Sequence, residues 1–72
     1  MIQEQIITIV KKSLKIKIIN KNSSSKNIEK WDSLGYLNIM AQLDKNTKGK
    51  SSKINLINCT GIKTLSKALS KI

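Results

Sequence analysis

A 3.6-residue apolar period returns in three separate stretches of this chain, and it constrains the fold more than any other feature. In residues 2–14, Ile2, Ile6, Ile7, Ile9, Val10 and Leu14 fall on one side of a helical wheel, with Glu4, Gln5, Thr8, Lys11 and Lys12 on the other. That is the pattern of a helix lying on a core. Glu4 is early and Lys11, Lys12 and Lys15 are late, which suits the helix macrodipole. Near the other end, Ile62, Leu65, Leu69 and Ile72 recur at spacings of three, four and three. Thr60 is the expected cap of this last helix.

The third stretch opens at Asp32-Ser33 and runs to about Asn46. Asp or Ser at an N-cap accepts the unpaired N–H groups of the first turn. The apolar residues here spread wide. Tyr36, Ile39, Met40 and Leu43 lie on one arc, and Leu34, Leu37 and Ala41 on the next. Gly35, Asn38, Gln42, Lys45 and Asn46 form the polar strip. A helix apolar over more than half its circumference is either central in a bundle or offers a second face to a partner. Ile6, Val10, Met40, Leu43, Leu65 and Leu69 are the expected core.

Between the first two helices, residues 15–32 read as a long loop. Asn20, Asn22, Ser23, Ser24, Ser25 and Asn27 compete for backbone hydrogen bonds and favour turns. Ile16, Ile18, Ile19 and Ile28 are expected to peg this loop to the core, with Trp31 as its anchor. A loop of this length in a small domain is often functional. Lys48-Gly49-Lys50-Ser51-Ser52 is a second loop, with Gly49 ending the helix. Ile54, Leu56 and Ile57 suggest a short helical turn or an extended peg. There is no internal repeat. The order of elements predicts one all-α domain over residues 1–72: a small four-helix bundle of three main helices and one short one, with a long loop after the first.

Composition narrows the function classes. A chain of 72 residues buries only about 60% of its unfolded surface, so its core is marginal. It contains no His, which removes the commonest general base and metal ligand. Its acids are Glu4, Glu29, Asp32 and Asp44, and no metal-ligand cluster, phosphate loop or nucleophile–base pair accompanies them. The expectation is that this is not an enzyme. Cys59 stands alone, so no internal disulfide staples the fold, and a reducing, cytoplasmic setting is expected. Cys59 is expected to be a small, buried or half-buried residue whose thiol pKa Lys63 lowers slightly. MIQEQ carries no basic leader, and no apolar run exceeds three residues. Neither a signal peptide nor a spanning helix is expected, and no membrane partner.

Fourteen basic residues, all Lys, against four acids give a net charge of +10 and a pI of about 10.1. Such a field favours acidic partners. One reading is a small basic helical module that binds nucleic acid through phosphate contacts. However, the lysines are spread over every segment, and Lys, Ile and Asn together account for nearly half the chain. That usage is what an AT-rich genome writes onto neutral surface positions. Arg is absent, Trp and Tyr occur once each, and no helix-turn-helix spacing is present. Nucleic acid is therefore not the expected partner.

Trp31-Asp32-Ser33-Leu34-Gly35-Tyr36-Leu37-Asn38 resembles the attachment motif of acyl carrier proteins, whose core is Asp-Ser-Leu at the start of the second helix. Ile28 sits where that family often has an apolar loop peg. Met40-Ala41-Gln42-Leu43 is similar to the middle of its second helix, and Thr60-Gly61-Ile62-Lys63-Thr64-Leu65 to the start of its last. The likeness covers most of the chain, and residues 28–43 are its specific part. It implies a bundle of acyl-carrier type, a monomer, on which a phosphopantetheinyl transferase attaches 4′-phosphopantetheine from coenzyme A to Ser33. Acyl or aminoacyl cargo would then ride as a thioester between loading and transferring enzymes of a biosynthetic pathway. Asp32 would cap the helix and help position coenzyme A in the transferase complex. Leu34, Leu37, Asn38, Ala41 and Lys45 would face partner enzymes. Asp32-Ser33 alone is also a common N-cap pair, and a carrier-like protein that is never modified would carry the same residues. The chain departs from the family in two places. Its second helix lacks the usual run of acids, so docking is expected on acidic or neutral faces, or through Leu34, Leu37 and Ala41. Thr47 stands where an aromatic residue closes that helix, and weaker packing is expected there.

Overall fold

The computed structural model describes all residues 1–72 and contains three α-helices, one 3-10 turn and no strand. Helix α1 spans Gln3–Leu14, α2 Ser33–Asn46 and α3 Ile62–Ala68, with the 3-10 turn at Lys50–Lys53 between α2 and α3. The architecture is thus a small all-helical bundle whose fourth helical element is a single tight turn. No helix is long and apolar enough to cross a membrane.

Helix α1 begins where the Gln5 side chain reaches back to accept the Ile2 N–H at 3.1 Å. It stops at Lys15, which adopts a left-handed conformation with φ 56° and sends its N–H to the Lys11 carbonyl. The next amide, of Ile16, donates to the same carbonyl at 3.2 Å, so this end is closed without glycine. The backbone of α1 runs close to both α2 and α3, which do not run close to each other. The central helix is therefore α1, and α2 is the one left with a second face.

The core is a single cluster of Ile6, Ile9, Val10 and Leu14 from α1, Ile39 and Leu43 from α2, Ile62, Leu65 and Leu69 from the α3 region, and Ile19, Trp31 and Leu56 from the loops. Ile6, Val10, Leu43, Leu65 and Leu69 are in it as the periodicity predicts. Met40 is not: it is half-buried and packs on the cluster's edge. The inner stripe of α2 runs Gly35, Ile39, Leu43 at steps of four, which turns Met40 to the flank. Ile2 is exposed because it caps α1 from outside the first turn.

Loop residues 15–32 are held by their own Asn and Ser side chains. Asn20 Oδ1 accepts the Asn22 N–H at 2.9 Å, and Asn27 Oδ1 accepts the Ser24 N–H at 3.0 Å. The loop is then stitched to the start of α3. The Ser25 N–H donates to the Thr60 carbonyl at 2.8 Å, the Ile62 N–H donates to Ser23 at 3.0 Å, and Ser24 bridges Gly61. Of the four expected pegs, Ile19 is buried and Ile16 and Ile28 are half-buried, but Ile18 is 79% exposed. Trp31 is buried as expected, at 3% exposure.

Two boundary expectations are corrected and one is met. The cap of α3 is Gly61, one residue beyond Thr60. Thr64 Oγ1 both accepts the Gly61 N–H at 3.1 Å and donates to the Gly61 carbonyl at 2.9 Å, which holds the first turn from inside. Helix α2 ends at Asn46, as the spacing predicts, three residues before Gly49. Thr47 is buried, and its hydroxyl donates to the Leu43 carbonyl at 2.7 Å while accepting the Ser51 N–H at 3.0 Å. A polar bridge thus closes the helix at the position where weaker packing is expected. Left-handed Lys48 and Gly49 then turn the chain into the 3-10 turn. The short helical element therefore lies at Lys50–Lys53, ahead of Ile54, Leu56 and Ile57.

Leu65 is fully buried on the inner face of α3. Leu65→Ala is expected to cost about 2–5 kcal/mol in urea denaturation, the range for large-to-small core changes. A loss below about 0.5 kcal/mol, typical of surface positions, would mean that α3 does not close the core.

Candidate functional site

The start of α2 is built by a division of labour between adjacent residues. Asp32 is extended, with φ −103° and ψ −164°, and its Oδ1 accepts the Gly35 N–H at 2.8 Å. Its carbonyl takes the Tyr36 N–H, also at 2.8 Å. Because Asp32 makes the cap, Ser33 is not needed for it. Ser33 is the first helical residue and is exposed. The Ser33 and Leu34 amides, the first two of the helix, have no intrahelical acceptor. A hydroxyl is therefore presented beside backbone N–H groups at the positive end of a 14-residue helix, a setting that favours an anion.

Gly35 fixes where this helix start sits. It is buried, and a Cβ built there would collide with the Lys30 carbonyl and meet Leu14 Cδ2 at 2.8 Å. The backbone of α2 thus comes down directly on the end of α1 and on the loop before Trp31. Placing Gly35 in the polar strip misread it: the strip's first member is an inward-facing contact.

A cleft of about 490 Å3 opens beside Ser33. Trp31, Tyr36, Leu37 and Ile57 supply its apolar wall, and Ser25, Asp32, Ser33 and Thr60 its polar rim. The Trp31 indole N–H is enclosed without an acceptor, a cost of about 1–3 kcal/mol. Burying the ring itself is worth about 4 kcal/mol or more, at roughly 25 cal/mol per Å2 over 150–250 Å2. Packing therefore wins, and Trp31 stays as the floor of the cleft. Ile57, expected in a short helical turn or an extended peg, is in neither and is 68% exposed. It follows buried Leu56 directly and half-buried Ile54 by three residues, so no periodic signal sets it apart, and only the fold brings it to Ser33.

The other predicted partner residues divide. Leu34 and Leu37 are exposed at 67% and 61%, and Asn38 and Ala41 are exposed as well. Leu34, Asn38 and Asp32 line a second cleft with Lys30 and the end of α1. Lys45 is apart from these. It lies about 18 Å along the axis from Ser33, at 1.5 Å per residue, and lines a cleft between α1 and α2 with Gln5, Lys12 and Gln42. The half-buried Cys59 thiol has its pKa raised by burial, so the lowering expected from Lys63 does not prevail. No group of three or more His, Cys, Asp or Glu side chains is placed to hold a metal ion.

No protein-family model, curated protein or solved structure matches this chain. The geometry of the helix start has to be tested directly. Asp32→Ala is expected to cost about 0.5–2 kcal/mol and Asp32→Asn much less, because Asn keeps an acceptor. Gly35→Ala should destabilise by about 1–3 kcal/mol through overpacking, reversing the gain of about 1 kcal/mol that Ala offers within a helix. A Gly35→Ala protein with a raised melting temperature would contradict the close approach at Lys30.

Proposed function

We propose that this chain is a carrier protein of the acyl carrier kind, modified at Ser33 with 4′-phosphopantetheine. One observation carries the reading: Ser33 is an exposed hydroxyl at the first position of α2, released from capping by Asp32 and set on the rim of the Trp31–Leu37–Ile57 cleft. A serine serving only as a helix cap would itself hold the amide that Asp32 holds. The residues present suit the group. The free amides of the first turn favour the phosphodiester, and the cleft has an apolar wall within reach of the attachment point.

In the modification, Ser33 Oγ forms a P–O bond to the pantetheine-side phosphorus of coenzyme A. The bond from that phosphorus to the nucleotide breaks, and the hydroxyl proton leaves to a base on the transferase. When bound, the arm supplies a thiol that holds acyl or aminoacyl cargo as a thioester. Asp32 keeps the helix start rigid so that Ser33 is offered in one position. Trp31, Tyr36, Leu37 and Ile57 give an apolar strip on which the arm or its cargo can rest out of water.

The net charge of +10 is the one observation that favours a second reading, a basic helical module for nucleic acid. Single-stranded nucleic acid is commonly held by stacking on exposed aromatic rings, and here Trp31 is buried and Tyr36 half-buried. The lysines are spread over every element rather than along one face, so duplex DNA is expected to bind weakly, without sequence preference, and to be released at physiological salt.

Intact mass decides between these readings. Incubation with a broad-specificity phosphopantetheinyl transferase and coenzyme A is expected to add one phosphopantetheine to the wild type and none to Ser33→Ala. A folded wild-type protein whose mass stays unchanged after exhaustive treatment would end the carrier reading. Sequence-selective DNA binding that survives physiological salt would replace it with the second.

A further inference from the structure

Four of the five exposed large apolar residues, Ile18, Leu34, Leu37 and Ile57, belong to a run of three adjoining clefts, the last of which Ser33 lines. The first cleft is lined by Ile18 with Lys17, Glu29 and Lys30. The second is lined by Leu34 with Lys15, Lys30 and Asp32. The third holds Leu37 and Ile57 with Asp32 and Ser33. Lys30 is common to the first two, and Asp32 to the last two, so the four apolar side chains lie along one run of adjoining clefts, a belt of apolar and charged groups in alternation. Scattered exposed apolar residues need no explanation, but a connected belt rimmed by polar groups marks an interaction surface.

The rim has a definite sign. Lys15, Lys17 and Lys30 stand on it. Lys21, Lys26 and Lys63 surround a further cleft that meets the third at Thr60. Against these six cations the same clefts carry two carboxylates, Glu29 and Asp32. We propose, resting on the carrier reading, that this end of the molecule docks on proteins whose face sets carboxylates around an apolar recess. The lysine rim steers the encounter and sets its register, and the Ile18–Leu34–Leu37–Ile57 belt supplies the anchors. A protein suits this surface better than a bilayer does. The apolar side chains are set in separate concave clefts, which a bilayer surface cannot fill one by one. Ser33 lines one of these clefts and would be shut off from any enzyme by headgroups. A protein partner can instead match each cleft and leave a channel to Ser33.

The experiment uses a broad-specificity phosphopantetheinyl transferase with a basic docking face, and the same enzyme with those basic residues changed to glutamate. Loading is followed by intact mass for wild type, Lys30→Glu, Lys17→Glu and Leu34→Ala, with an acidic carrier protein as the control for both enzymes. Wild type should be loaded about tenfold faster by the glutamate enzyme, and the preference should shrink as salt is raised. Lys30→Glu and Lys17→Glu should each reverse part of it, and Leu34→Ala should slow loading by both enzymes. Equal loading of wild type by both enzymes at every salt concentration overturns the proposal and leaves the carrier reading intact. Failure of both enzymes on this chain, while the control is loaded, removes the carrier reading and this proposal together. Pelleting with phosphatidylserine–phosphatidylcholine vesicles at physiological salt, lost in Leu34→Ala, would assign the belt to lipid and overturn the protein partner.

Discussion

Helix α1 is apolar broadly enough to serve two neighbours, and the rest of the molecule depends on that. Ile6 and Val10 are completely enclosed, and Ile9 and Leu14 nearly so, because α2 and α3 close over α1 from different directions. With no disulfide and only 72 residues, little else is available to hold the chain together. The arrangement has a direct consequence for α2. A helix at the centre would have had its second apolar arc covered. Placed to one side of α1, α2 buries Gly35, Ile39 and Leu43 and leaves Leu34 and Leu37 in solvent.

The start of α2 is where the demands of packing and chemistry meet. Gly35 lets the helix come down on Lys30 and Leu14, and its N–H is the one that Asp32 caps. These two contacts set both the position and the direction of the first turn, and Ser33 is presented as a result. The cleft beside it draws on three distant stretches: Ser25 from the first loop, Trp31 to Leu37 around the helix start, and Ile57 and Thr60 from the second loop. The backbone bonds between Ser23–Ser25 and Thr60–Ile62 hold those loops in register. The site is thus a property of loop stitching as much as of the motif.

The charge is distributed differently from the apolar surface. Lysines occur on every element and surround clefts at both the Ser33 end and the α1–α2 side, so the field is broad rather than focused into a groove. Isolated exposed charges contribute little to stability, which is why composition can vary there without altering the fold. The same charges act at long range on any partner that approaches. A surface with this sign selects partners opposite to those suited to an acidic one.

Much was legible from residue order alone. The apolar period located α1, α2 and the start of α3 to within a residue or two, although α3 stops at Ala68, short of Ile72, and it named Ile6, Val10, Leu43, Leu65 and Leu69 as core. Asp32 was readable as a cap and Trp31 as an anchor, because both follow from local chemistry: a short acceptor before a helix, and a large ring in a polar loop. What the period cannot say is which neighbour covers each apolar face. The period therefore sets Met40 too deep, and it gives no sign that Ile18 and Ile57 lie bare. Gly35 read as polar because its meaning lies in a contact with Lys30 and Leu14, which only the crossing of α1 and α2 creates. Thr60 gave way to Gly61 because Ser24 approaches closely there, at 3.0 Å from a Cβ built on that glycine. Sequence determined the helices and the chemistry offered at Ser33, since both rest on residues a few positions apart. The tertiary structure alone decided which surfaces stay bare around it, since burial depends on elements that are remote along the chain.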